Sequence, residues 1–166
     1  METILQSTSK RLSRLQHAIQ QTGSTLIGRA GGLEELCVMS ARGLLGLFFI
    51  YFGLDKFVNY SDVGIYMSAF GISGLFLPLV ILLEVVGGVA LLVGWQLKRV
   101  AGLLAGFTLL TALIFHSDFS EQVQLILFMK NIAITGGLLL FVAVGAGRLS
   151  LDAKQTGKSK KTRKTR

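Results

Sequence analysis

Four long apolar stretches dominate the chain, and none of them alternates polar and apolar residues. They run from about Cys37 to Phe57, about Leu75 to Trp95, about Val100 to His116 and about Val123 to Gly147. Each is near the roughly 20 residues that a helix needs to cross about 30 Å of hydrocarbon. Lipid offers no partner to a backbone amide or carbonyl, so the stretches are expected to be helices, and the missing alternation excludes barrel strands. The predicted fold is an all-α membrane protein, a four-transmembrane-helix bundle. Pro78 falls in the first turn of the second stretch, where a missing amide hydrogen costs little, and places the helix start near Gly74. Tyr60, Tyr66 and Phe70 lie in a segment suited to the headgroup layer, and Trp95 marks the opposite interface.

Outside the spans the pattern turns polar. Residues 1–35 carry Lys10, Arg11, Arg14 and Arg29 and lack the apolar core of a cleaved signal peptide. Leu5, Leu12, Leu15 and Ile19 share a helical face and Ser9 is placed to cap it, which suits a helix lying on the membrane. A frayed cytoplasmic extension is the alternative. Eight of the 17 Lys and Arg residues (Arg148, Lys154, Lys158, Lys160, Lys161, Arg163, Lys164 and Arg166) lie in the last nineteen positions. Such a run buries too little apolar surface to fold, so residues 153–166 are expected to be a disordered basic tail beside anionic lipid. The expected division is thus a 1–35 extension, a 36–152 membrane domain and that tail.

The net charge of +8 raises nucleic acid as a partner, but no aromatic residue is interleaved in the tail to stack on bases, and none is expected. The charge instead predicts orientation. Lys98 and Arg99 lie between the second and third stretches and both termini are basic, whereas the third-to-fourth connection has Asp118 and Glu121 without a base. By the positive-inside rule the termini and the Lys98–Arg99 turn face the cytoplasm, in a multi-pass arrangement. Composition agrees with a membrane domain: 51% of residues are hydrophobic, 16% are charged and twenty are Gly. The single Cys37 excludes a disulfide within the chain, and no CxxC or His/Cys cluster is present to hold a metal.

Ionisable groups at membrane depth cost about 2.5–3.5 kcal/mol each on insertion scales, so those that remain are the candidate site. They are Arg42, Asp55, Lys56, Glu84, His116 and Lys130, with Asn131 beside the last. At 1.5 Å per residue, Glu84 lies roughly 13 Å and Lys130 roughly 10 Å below the outer surface. Matched depth predicts a Glu84–Lys130 pair lining an outward-facing cavity, with His116, Asp55 and Lys56 around its mouth. A neutral Glu84 is the alternative, and the pair reads equally as structural glue or as a ligand or proton site. Arg42 is placed to extend its side chain to the cytoplasmic interface. Yet Arg42, Gly46, Phe49, Gly53 and Lys56 share one helical face, which is expected to pack inward. The same is expected of Glu84, Gly87, Gly88 and Leu91, of Gly102 and Gly106, and of Asn131 and Thr135. His116 is either a solvated helix-end residue or the proton donor and acceptor of the mouth. His17 is the other histidine and lies in the cytoplasmic extension, so a bis-histidine haem is not expected, and no serine or cysteine has the partners of a nucleophile.

Four segments, taken together, resemble the DoxX family of small bacterial inner-membrane proteins. They are Arg42-Gly-Leu-Leu-Gly-Leu-Phe-Phe-Ile-Tyr-Phe-Gly-Leu-Asp-Lys56, Glu84-Val-Val-Gly-Gly-Val-Ala-Leu-Leu-Val-Gly94, the pair His116 and Asn131, and Gly145-Ala-Gly-Arg-Leu-Ser-Leu-Asp152. The resemblance covers roughly residues 38–153 and implies a four-helix membrane domain of the bacterial inner membrane. Namesakes of the family are linked to thiosulfate:quinone oxidoreductase, and other members to redox or sulfur-stress complexes. No agreed catalytic set comes with it, so Arg42, Lys56, Glu84, His116, Asn131 and Arg148 are motif positions, and whether the chain is an enzyme stays open. The leading expectation is a quinone-linked redox subunit that binds a small ligand between its helices and takes electrons from a partner protein or an external donor. The alternatives are a non-enzymatic membrane partner or assembly protein, and a small-solute or proton permease built as a homo-oligomer.

Overall fold

A computed structural model describes residues 32–155 of the protein. The surface helix expected over Leu5 to Ile19 and the tail beyond residue 155 lie outside the described residues. The chain divides into two compact units, Met1–Cys37 and Val38–Arg166. The described part of the first, residues 32–37, is helical and ends on the exposed Cys37.

Among the described residues the chain is all-helical. Helix α1 (Gly32–Val58) is followed by α2 (Tyr60–Ala69), α3 (Leu77–Val93), α4 (Leu97–Phe115), α5 (Gln122–Val144) and a short α6 (151–155). A 3-10 turn, Gly74–Phe76, leads into α3, and Pro78 occupies its first turn as expected. Helices α1, α4 and α5, and α3 together with its 3-10 turn, are long and apolar enough to cross a bilayer; the shortest, 19 residues, spans about 28 Å. Their outer faces are apolar too. Leu44, Leu47 and Leu54 on α1, Leu82 on α3, Leu103 and Leu110 on α4 and Leu140 on α5 are all exposed, an arrangement that hydrocarbon covers and water does not.

The element ends depart from the apolar stretches by a few residues. Apolar stretches mark the greasy part of a helix, whereas hydrogen bonding carries α1 back through Glu34 and Glu35 and α4 back through Lys98 and Arg99. At the other end α5 stops at Val144, because Gly145 and Gly147 both turn to positive φ. Helix α2 has no counterpart among the four stretches. It follows α1 after the single residue Asn59 and buries Met67.

The core is Phe49 of α1, Leu91 of α3, Leu97, Ala101, Leu104 and Ala105 of α4, and Leu138 and Phe141 of α5. The glycine-bearing face of α1 packs inward as expected. A Cβ on Gly46 would lie 2.8 Å from the carbonyl oxygen of Gly88, and one on Gly88 would lie 2.7 Å from that of Gly46, so α1 and α3 touch backbone to backbone. The expectation for α4 fails. Gly106 faces open space and Gly102 meets only Val142, at 3.8 Å; the inward stripe is Leu97, Ala101, Leu104, Ala105, Thr108 and Ala112.

At the Lys98 end the chain folds back on itself. Arg42 does not extend to an interface: its side chain is buried and its guanidinium donates to the carbonyls of Ala146 and Leu149. Asp152 accepts from the amides of Gln96 and Leu97 at 2.7 and 2.9 Å, capping α4, which has no side-chain cap of its own. Ser150 donates to the Gly147 carbonyl and accepts from the Ala153 amide, starting α6. The Gly145–Asp152 motif is therefore a clasp that ties α1, α4 and the end of α5 together. Gly94, at φ 69°, closes α3 beneath it, where a Cβ would strike both Arg42 and Ser150.

Candidate functional site

At the opposite end, α1, α2, α3, α4 and α5 enclose a cavity of about 180 Å³. Of the seven predicted site residues, Lys56, Glu84, His116, Lys130 and Asn131 line it, and Arg42 and Asp55 do not. Asp55 is exposed and accepts a hydrogen bond from Asn59 at 3.0 Å, so it belongs to the junction between α1 and α2. Arg42 belongs to the clasp.

The ion pair is not the one that matched depth suggests. Glu84 pairs with Lys56, whose ammonium stands 2.8 Å from one carboxylate oxygen and 3.0 Å from the other. Depth along the axis does not fix azimuth: Lys56 is on the inward face of α1 that packs against α3. Its side chain is a quarter exposed while that of Glu84 is buried, so the pair sits on the cavity wall with its acid turned inward. Burying an unpaired charge costs several kcal/mol, and this contact offsets that cost for Glu84.

Lys130 is left without a carboxylate in ion-pair reach among the described residues. Its ammonium lies over two phenyl rings, 5.7 Å from the centroid of Phe48 and 5.3 Å from that of Phe52. Lys56 stands 5.8 Å from the same Phe52 ring. Such contacts contribute about 0.5–2 kcal/mol each and do not neutralise the charge. Next to Lys130 in sequence, Asn131 is buried, and among the described residues its side chain has no hydrogen-bonding partner. Thr108 of α4 is 4% exposed and its hydroxyl is likewise unpartnered. On the same wall the buried Glu84 Oε2, close to the Lys56 ammonium, also has no hydrogen-bonding partner among the described residues. Buried polar groups are normally satisfied, so idle ones on one cavity wall mark a place where something else can bond.

Helix α2 roofs the cavity with Val63, Tyr66 and Met67. The Tyr66 ring stacks on Phe115 at 5.6 Å, and Phe70 meets Phe115 edge-on at 5.2 Å. His116 ends α4 at the cavity, 2.8 Å from the side-chain oxygen of Gln124 through Nδ1. Paired that way Nδ1 donates, which in the neutral ring leaves Nε2 as the acceptor. In the following loop, the Ser120 hydroxyl and then its amide donate to Asp118 and hold that carboxyl below the usual carboxylate range. A second groove, between α3 and α4, is lined by Leu82, Val86, Ala90, Trp95 and Leu103, and the Trp95 indole is the one side chain named there that carries a hydrogen-bonding group.

Sequence reasoning missed Phe48, Phe52, Thr108 and Thr111 as cavity walls. A signal was present: Phe48, Phe52 and Lys56 recur at spacings of four, and Thr108 and Thr111 share the α4 face that leads to Phe115.

Comparison with known proteins agrees with the resemblance read from the motifs. The family model described as DoxX matches residues 37–117, which include Lys56, Glu84 and His116 and end before α5. The inner membrane protein YqjF of Escherichia coli K12 is 48% identical over 120 residues, 72% of this chain and 92% of that protein. The inner membrane protein YphA of the same organism is 30% identical over 131 residues, 75% of this chain and 94% of that protein. No solved structure matches. With its motifs, its four apolar helices and a relative of this identity and coverage in agreement, the chain belongs to the DoxX family.

Proposed function

We propose that this chain is an integral inner-membrane protein that binds a quinone-class ring in the cavity and serves electron and proton traffic at the quinone level. Its relatives are named inner membrane proteins, and its spans have the length and outer faces such a location needs. The observation that carries the reading is a phenyl-walled cavity that also holds the unpartnered Thr108 hydroxyl, the Asn131 amide and the Lys130 ammonium, which is without an ion pair among the described residues. A quinone is a flat apolar ring with carbonyl acceptors at its edge, and fits such a wall. Phe48, Phe52 and Phe115 would exclude water and hold the ring, while Lys130 and Asn131 would donate to a carbonyl. When bound, such a ring supplies two-electron chemistry coupled to two protons, with electrons from a partner protein or an external donor. His116, with Nε2 free, would take or give the proton at the mouth. The Lys98–Arg99 turn and the clasp face the cytoplasm in this reading, which puts the cavity on the far side of the membrane.

A second reading has an observation of its own. Glu84 and Lys56 neutralise each other's charge, as a structural pair in a non-enzymatic partner or assembly protein does. Purification in mild detergent followed by mass analysis separates the two. Recovered quinone that is lost on Lys130→Met or Asn131→Leu supports the first; a stoichiometric protein partner with no small molecule in either form supports the second. Uptake of solute by the chain alone in liposomes would displace both in favour of a permease.

A further inference from the structure

The charges on the cavity wall do not balance. Lys56, Tyr66, Glu84, His116 and Lys130 are the titratable groups that line it. Lys56 and Glu84, in contact at 2.8 Å, cancel. Lys130 lies over the faces of Phe48 and Phe52, has the like charge of Lys56 nearby, and has no carboxylate within ion-pair distance among the described residues. The wall therefore holds a second ammonium, on Lys130, with no carboxylate set against it among the described residues. At membrane depth, water compensates poorly as well.

The neighbouring groups repeat the bias. The Asn131 side chain brings an amide donor, and the unpartnered Thr108 hydroxyl is free to rotate and donate. Glu84 is the acid on the wall, and its charge is paired with that of Lys56, which donates to Oε1 and stands 2.8 Å from Oε2, an oxygen with no hydrogen-bonding partner of its own among the described residues. A negatively charged oxygen would meet three donors here and leave the pair intact. The aromatic walls argue against a small inorganic ion as the occupant, since it would leave Phe48, Phe52 and Phe115 facing empty space.

We propose that the cavity selects the anionic form of its ligand: a planar ring bearing one ionised oxygen, with that oxygen at Lys130, Asn131 and Thr108 and the ring among the phenyl groups. The proposal rests on the reading of the cavity as a ring-binding site and adds the charge of what it takes.

Two probes that share one ring system test it. The first, 2-hydroxy-1,4-naphthoquinone, is ionised at neutral pH; the second, 2-methoxy-1,4-naphthoquinone, cannot ionise. Binding of each is measured by equilibrium dialysis against the full chain in mild detergent, with empty micelles subtracted. The hydroxy compound is expected to bind about tenfold more tightly, the margin of one charge-assisted hydrogen bond. Lys130→Met should erase that margin, whereas Lys130→Arg should keep most of it. Equal binding, or tighter binding of the methoxy compound, overturns the anion preference and leaves the ring site standing. If neither probe binds the wild-type chain, the ring site falls and the preference falls with it. The wild-type comparison decides the matter even if the methionine variant fails to fold.

Discussion

The contact between Lys56 and Glu84 makes a definite claim about which residues share energy. Removing either partner alone leaves a charge at membrane depth, at a cost of about 2–4 kcal/mol, less than in a fully enclosed site because the Lys56 side chain is a quarter exposed. Lys56→Met and Glu84→Gln should each lower the melting temperature in detergent, and the double variant should lose clearly less than the two losses added. The same cycle run with Lys130→Met and Glu84→Gln should be close to additive, since no contact joins them. Strong coupling in the second cycle and none in the first would restore the pair that depth alone suggests. This is the point at which the sequence could be read only in part. Rise per residue gives depth, and depth collected five of seven candidates on one cavity wall. It carries no azimuth, so it could not choose between two lysines, nor see that Arg42 turns into the clasp. Asp55, predicted at the mouth, is off the wall because its side chain turns to the exposed face of α1 and accepts from Asn59.

Between helices, the contrast among glycines is the sharpest feature. Gly46 and Gly88 bring α1 and α3 into backbone contact, and Gly53 leaves room for the Val85 side chain, which a Cβ there would meet at 2.7 Å. Even a methyl group at Gly88 would lie 2.7 Å from the Gly46 carbonyl oxygen and 2.9 Å from the amide nitrogen of Ile50, neither of which can rotate away. Gly88→Ala should therefore push α1 and α3 apart and cost about 1–3 kcal/mol, despite alanine's better helix propensity. Gly106→Ala meets nothing within 4 Å and should be neutral or stabilise α4 by up to about 1 kcal/mol. Both are read as melting temperatures of the detergent-purified variants; equal effects would mean that the α1–α3 approach is not where the packing is decided. From sequence the two positions looked alike. Spacing of small residues shows that a face permits close approach, but in lipid the outward face is as apolar as the inward one, as exposed Leu103 and Leu110 show on α4. The contrast that reveals a buried face in a water-soluble helix is therefore weak here. Helix α1 escaped the ambiguity because Arg42 and Lys56 mark its inward face with charge.

Taken as a whole, the molecule has two chemically distinct ends. One has the Arg42 clasp, Lys98, Arg99 and Lys154; the other has the cavity and the acidic Asp55, Asp62, Asp118 and Glu121. The basic residues are the ones the membrane potential and anionic lipid retain on the cytoplasmic side, so the asymmetry predicts how the chain is inserted. The native Cys37 is exposed and must be removed before labelling. In a Cys37→Ser background, Ser117→Cys places a thiol in the α4–α5 loop beside the cavity, and Gln155→Cys places one at the end of α6. A membrane-impermeant maleimide added to intact cells should label the first and not the second, with the pattern reversing in inverted vesicles. Labelling of Gln155→Cys from outside would turn the molecule over and open the cavity to the cytosol. Under the proposed function the consequence reaches the site itself: His116 and Lys130 would then draw their protons and their ligand from the opposite compartment.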